Sequence, residues 1–363
     1  MGSLKEKALI AAGVVAGGLC AARAIVRRAR WFEWRGRTVL IAGGSRGLGF
    51  VLARRLVELG AHVTICSRDA ERLELAELKL QRKPDDGPES DDRASGDEAR
   101  QPRGELTTSV CDIRDVAQVT QTVGEMLARR GRIDVLINVA GIMSVGPFDA
   151  MTMDDFRNSM ETNCWGHLNT IRAVLPSMRV KGWGRICNIA SIGGKRAVPH
   201  MLPYDASKFA LVGLSTGLRT ELAKDGILVT TVCPGLMRTG SPRNADFKGR
   251  HREEHAWFSI GDALPLVSIS AESAAKKILR ACQNGDAEAM IVGPGNFASI
   301  LSTLAPNLTA EVLTLVDRFL PPMGGIGQES ARGYESKSKW SPSVLTTLGD
   351  QAAVENNEVA PEL

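Results

Sequence analysis

Four residues have types that acid–base chemistry can use: Asn163, Ser191, Tyr204 and Lys208. Tyr204 and Lys208 stand four apart in Tyr204-Asp-Ala-Ser-Lys208, which puts both on one helix face with the ammonium beside the phenol. A free phenol, with a pKa of about 10, is a poor acid or base near neutrality. The nearby cation favours phenolate and is expected to lower that value, poising the hydroxyl for acid–base work. Ser191 comes thirteen residues before the tyrosine, and Asn163 falls in a long helical stretch. A Tyr-x-x-x-Lys match alone arises often by chance, whereas four such features in sequence order do not.

A second constellation is Gly43-Gly-Ser-Arg-Gly47-Leu-Gly49, which follows an apolar strand and opens a helix. Glycines at 43, 47 and 49 allow a tight turn, close approach to a diphosphate and close helix–strand packing. The helix N-terminus then offers free N–H groups to phosphates. The next strand ends Cys66-Ser67-Arg68, where a site selective for NAD places Asp or Glu; Asp69 comes one position late. Arg68 and Arg46 put two cations where a ribose 2′-phosphate would lie, so the expected cofactor is NADP(H), with NAD(H) second.

Such residues must be held by a repeating frame, and the chain supplies one. Short strand runs at Thr38–Ala42, His62–Cys66, Leu106–Cys111, Ile133–Val139, Gly184–Ala190, Ile227–Cys233 and Ala289–Val292 alternate with helical stretches, notably Asp154–Val180 and Tyr204–Lys224. Strand–helix alternation of this kind predicts an α/β fold: one doubly wound parallel sheet, Rossmann-like, in a single domain over residues 37–295.

On these motifs the chain resembles the short-chain dehydrogenase/reductases over about Arg37 to Gly293, most of its length. Asn138-Val-Ala140-Gly141 is similar to the family's N-N-A-G stretch. Asp112, followed by Ile113, resembles the acidic residue that meets the adenine, and Pro234-Gly235 with Thr239 resembles the segment that holds the nicotinamide carboxamide. The resemblance implies cofactor contacts from Gly43, Ser45, Arg46, Gly47, Leu48, Gly49, Arg68, Asp112, Ile113, Asn138, Ala140, Gly141, Tyr204, Lys208, Pro234, Gly235 and Thr239. It also implies a catalytic tetrad of Asn163, Ser191, Tyr204 and Lys208. Two departures are visible: Ala42 replaces the usual Thr before the first glycine, and Val139 the second Asn.

The implied reaction is hydride transfer between a nicotinamide and a carbonyl or alcohol carbon of a small molecule. Tyr204 would exchange the proton, Ser191 bind the reacting oxygen, Lys208 hold the ribose hydroxyls and lower the tyrosine pKa, and Asn163 keep a relay water. The stretch Met237–Pro265, between the sixth and seventh strands, is the expected substrate lid. Within it Trp257 and Phe258 would form an apolar wall, while His251 and His255 would face water. Ser270 is the expected cap of the helix Ala271–Ala281 behind it. The family commonly pairs the two long helices in a four-helix interface, which implies a homodimer or homotetramer.

Composition narrows the alternatives. With 363 residues, 44% of them hydrophobic and 24% charged, collagen, wholesale disorder and a polytopic membrane protein are excluded. Of the formal net charge of +4, residues 1–37 carry +6, so the body is slightly acidic and no nucleic-acid partner is expected. Seven scattered cysteines without a C-x-x-C pair read as buried thiols of a reducing compartment.

Residues 8–26 are apolar but for Arg23, with basic residues on both sides and more of them after. They read as a membrane anchor that leaves the body in the cytoplasm, and a lipophilic substrate would follow from such an anchor. A cleaved signal and a surface helix are the competing readings. The stretch 84–105 holds eight acidic and three basic residues and reads as a mobile loop. Residues 296–320 carry helical spacing around Pro306, and the remainder to Leu363 reads as a disordered tail.

Two other functions compete. One is a sensor or scaffold that binds NADP(H) without turnover, against which an intact Tyr204 and Lys208 speak. The other is a zinc hydrolase using His251-Arg-Glu-Glu254-His255, an H-x-x-E-H pattern. The strong charge of that segment and its lid position argue for a solvated helix and no metal.

Overall fold

The computed structural model describes residues 17–18, 20–81, 103–293 and 305–359. Seven strands form one parallel sheet: β1 (Thr38–Ala42), β2 (His62–Ser67), β3 (Leu106–Val110), β4 (Val135–Asn138), β5 (Gly184–Ile189), β6 (Ile227–Pro234) and β7 (Glu288–Ile291). Their spatial order is β7-β6-β5-β4-β1-β2-β3. The order reverses between β1 and β4, whose Ala42 and Asn138 are in register, so a crevice opens beyond their C-terminal ends.

Alternation along each strand splits the core into two layers. Val39, Ile41, Val63, Ile65, Val135 and Ile137 pack one face. Leu40, Ala42, Cys66, Leu136, Ile186 and Val229 pack the other. Against the first layer lie α2 (Gly47–Glu58), α3 (Ala70–Gln81) and α9 (Ala271–Asn284); against the second lie α4 (Val116–Arg130), α6 (Gly166–Lys181) and the end of α7 (Leu202–Leu222). The helix predicted over Asp154–Val180 is instead α5 (Met153–Met160), then a π-helical turn at Glu161–Trp165, then α6. A capping box between Thr152 and Asp155 starts α5.

Between β6 and β7 the chain forms α8 (His251–Ala263), where the lid was expected. Ser270 caps α9 by accepting from the Ser273 backbone N–H. His255 departs from expectation: it is buried and packs edge-on against Phe247, at 5.1 Å between centroids, because α8 turns that face onto an aromatic cluster.

The N-terminal segment is partly built into the domain. Residues 20–30 are helical (α1), and Arg27 makes a bidentate pair with Asp286 at 2.7 Å. Phe32 and Trp34 are buried in the first core layer, and the guanidinium of Arg185 lies 5.5 Å from the Phe32 ring and 4.6 Å from that of Trp183. Of the predicted anchor, residues 8–16 and 19 lie outside the described residues, as does nearly all of the acidic stretch 84–105. Among the described residues no helix is long and apolar enough to cross a membrane.

The expectation of a disordered tail does not hold for residues 321–359. After α10 (Pro306–Asp317) the chain returns to the domain, ends in α11 (Thr347–Glu355) and buries Ala352, Ala353, Asn356, Asn357 and Glu358. Its polarity hid this, because the partners that satisfy it lie some three hundred residues away.

Candidate active site

The catalytic candidates come together beyond β4 and β5. The π-helical turn carries Asn163, whose Oδ1 accepts from Ile142 N at 2.8 Å. Its Nδ2 donates to Ile142 O at 3.0 Å and to Ser207 Oγ at 2.9 Å. The wider turn sets this side chain between Ile142 and Ser207. Ser191 follows β5 and accepts from Gly193 N at 3.0 Å, and its Oγ and the edge of the Tyr204 ring both border Gly193. Lys208 is buried, donates to Ile189 O at 2.9 Å and lies 5.6 Å from the centre of the Tyr204 ring.

The expected electrostatics need correcting. Burial pushes the Tyr204 phenol up to about 12; Ser191 opposes the shift and Asp205 adds to it. The Lys208 ammonium is turned to a carbonyl and is itself brought down to about 8 by burial. Desolvation therefore sets the direction, and the Tyr204 phenol stays protonated at neutral pH.

Three groups in this corner escaped the sequence reading. His167 is fully buried, joins Ala140 O at 2.7 Å and is brought down to about 3, first by burial and then by Lys208. Ser207 supports Asn163. Asp205, next to the tyrosine, is raised to about 8 by burial while its Oδ2 accepts from Val198 N at 2.7 Å. Their only sequence signal is proximity to the tetrad.

An apolar cluster lies beside Tyr204. Val145, Met201, Phe247 and Phe258 form a cluster against which Met143, Val198, Trp257 and Tyr204 pack. Glu254, fully buried, joins α8 to the loop before Tyr204: it meets His200 Nδ1 at 2.7 Å and accepts from Trp257 Nε1 at 2.7 Å. In the H-x-x-E-H segment, then, Glu254 faces His200, His251 pairs with Ser336 at 2.9 Å, and His255 packs on Phe247.

At the glycine turn, Gly49 packs so tightly that a Cβ there would stand 2.0 Å from Gly43 O. Leu48 is buried, and Ala140 N donates to Ala42 O at 2.8 Å. Gly141 borders Asn163 and Lys208. Asn138 is tied to Asn188 at 2.9 Å and to Thr170 at 2.7 Å, deep beneath the crevice. Pro234 ends β6, and Gly235 N donates to Ile291 O at 2.9 Å. Thr239 is buried beyond it. Ile113 is buried, while Asp112 lies beside Arg114 at 2.6 Å and Arg68 at 4.0 Å.

The final residues of the tail meet this turn. Gly47 N donates to Asn356 O at 2.7 Å, and Asn357 Nδ2 to Ser45 O at 2.8 Å. Arg46 pairs with Glu358 at 3.1 Å, Asn244 also reaches Glu358, and Asn356 Nδ2 donates to Thr239 O at 3.3 Å. Arg72, one helical turn beyond Arg68, donates to Asn357 O at 3.3 Å. The turn thus holds a carbonyl and a carboxylate, the acceptor chemistry a dinucleotide diphosphate would bring. Its donors fit that group.

The short chain dehydrogenase family model matches residues 37–246. The chain is 30% identical over 305 residues to dehydrogenase/reductase SDR family member 7B of Danio rerio, covering 84% of this chain and 93% of that protein. It is 34% identical over 202 residues to the ketoacyl reductase HetN of Nostoc, covering 56% and 64% of the two. A short-chain dehydrogenase structure from Streptomyces avermitilis superposes with a TM-score of 0.59 at 27% identity, over 78% of this chain and 99% of that one. The chain belongs to the short-chain dehydrogenase/reductase family. It is an NAD(P)-dependent oxidoreductase acting on alcohol and carbonyl groups.

Proposed function

We propose that this enzyme uses NADP(H) to reduce the carbonyl of a substrate bearing an apolar chain, with Tyr204 as proton donor. The observation that carries the reading is Tyr204, with Ser191 beside it across Gly193, packed against the cluster around Phe247 and Phe258. When bound, the dinucleotide supplies or accepts hydride. Ser191 orients the substrate oxygen, and Tyr204 gives it the proton. Lys208, freed from Ile189 O, holds ribose hydroxyls and returns charge to the phenol's surroundings. Asn163, fixed on both sides of its amide, shapes the path by which the proton is replaced.

Arg46 in the turn, Arg68 just after β2 and Arg72, which reaches the Asn357 carbonyl, support a preference for a 2′-phosphate. The likeness to ketoacyl reductase HetN supports a chain-bearing ketone. Free cysteines support a reducing, cytoplasmic setting for the domain.

The test is a screen of full-length protein with NADPH and NADH against long-chain and short polar ketones. The expected result is turnover of the apolar ketones with NADPH. Equal catalytic efficiency with NADH contradicts the arginine argument, and turnover of polar ketones alone contradicts the apolar wall.

A further inference from the structure

Residues 356–358 hold the groups that the proposed function assigns to the dinucleotide, and three features make this more than a casual contact. Space comes first: a Cβ at Gly47 would stand 2.6 Å from Glu358 Oε1, so the room left by the missing side chain is filled by a carboxylate. Burial is next. Glu358 is 4% exposed and Asn357 0%, and the carboxylate of the one and the amide Nδ2 of the other find their partners at Arg46 and Ser45 of this turn. Last is backbone shape: Asn357 takes φ +62°, a left-handed conformation that Asn tolerates better than most residues, and so sends its amide to Ser45. The segment is also seated firmly. Gly240, at φ +85°, would place a Cβ 2.3 Å from Ala353 Cα, so α11 lies directly on the chain leading into the lid.

We propose that α11 and residues 356–358 form an autoinhibitory plug that closes the dinucleotide site and must swing away before cofactor enters. The proposal rests on the cofactor reading above. One set of N–H donors cannot serve Asn356 O and a diphosphate together, and Arg46 cannot neutralise Glu358 and a phosphate at once. Cofactor affinity is then reduced by the fraction of molecules whose plug is out. With that fraction at about 1–10%, the loss is roughly 10- to 100-fold.

Hydrogen exchange on the unaltered full chain tests this directly. Amides of residues 347–358 are expected to be protected alone and to lose protection when NADPH is added. In parallel, a chain carrying Asn356→Ala, Asn357→Gly and Glu358→Ala should bind NADPH about 10- to 100-fold tighter by fluorescence titration. Unchanged protection in a chain saturated with NADPH overturns the plug, as does equal affinity of the two chains. Should neither chain bind NADPH or NADH, the cofactor reading itself fails and takes the plug with it, an outcome distinct from tight binding with the tail still in place.

Discussion

The two halves of the crevice are in opposite states. Around Tyr204 the chain has assembled its own machinery: Asn163 is fixed through both ends of its amide, Ser191 is held by Gly193, and Lys208 is turned to Ile189. Around Gly47 the donors are presented but already taken by Asn356 and Glu358. One half is pre-organised by burial; the other must exchange an internal partner for an external one. On the proposed function, proton chemistry is built in, while access to the hydride carrier is where control can act.

Substitutions at each half should separate these properties. The largest effect is expected from Tyr204→Phe, which removes the acid and should lower kcat by about 10²- to 10⁴-fold. NADPH titration should show unchanged affinity, and retained turnover would break the assignment of that half.

At the other half, replacing Arg46 and Arg68 with Gln should raise the KM for NADPH by roughly 10- to 100-fold and leave that for NADH nearly unchanged, as charge-assisted hydrogen bonds to phosphate are lost. Because Arg46→Gln also frees Glu358, steady-state profiles with both cofactors are needed to sharpen the comparison.

A smaller effect follows from Lys208, whose folded pKa is brought down to about 8. Carbonyl reduction should hold level below that value and decline as pH rises through it, by up to tenfold per unit. Lys208→Met should be slower at neutral pH and lack this alkaline limb.

The smallest effect at neutrality belongs to His167, whose folded value near 3 lies below the unfolded 6.5. The unfolded chain binds the extra proton in that window, so the stability this group contributes is whole above about 6.5 and is lost as pH falls toward 3. His167→Gln, which can still donate to Ala140 O, should flatten the fall of Tm across that range.

Much of this architecture is legible in the residues. The central strands follow from apolar runs, since a strand covered on both faces needs nothing else, while the edge strands β3 and β7 are more polar and are read from their place in the alternation. The Tyr204, Ser191 and Gly43 motifs are local in sequence and so can be read directly. The π-helical turn at Asn163 is not: its composition is that of any helix, and only packing around Ser207 and Ile142 calls for the extra residue. The phenol's raised pKa was missed because helical spacing brings charge near but says nothing of desolvation. The tail was missed for a related reason. Low hydrophobicity predicts disorder only when a segment has no complementary polar site to enter, and Asn357 and Glu358 have one.

The aromatic joint near the N-terminus has a practical consequence. Phe32 and Trp34 precede the start of β1, and Arg185 at the beginning of β5 reaches back to the Arg30 carbonyl at 2.8 Å. This joint therefore lies at the floor of the sheet, remote from the reacting edge. Residues 27–34 thus fasten the chain to the end of the sheet opposite Tyr204, and truncations from the N-terminal side must stop short of Arg27 to spare this foundation.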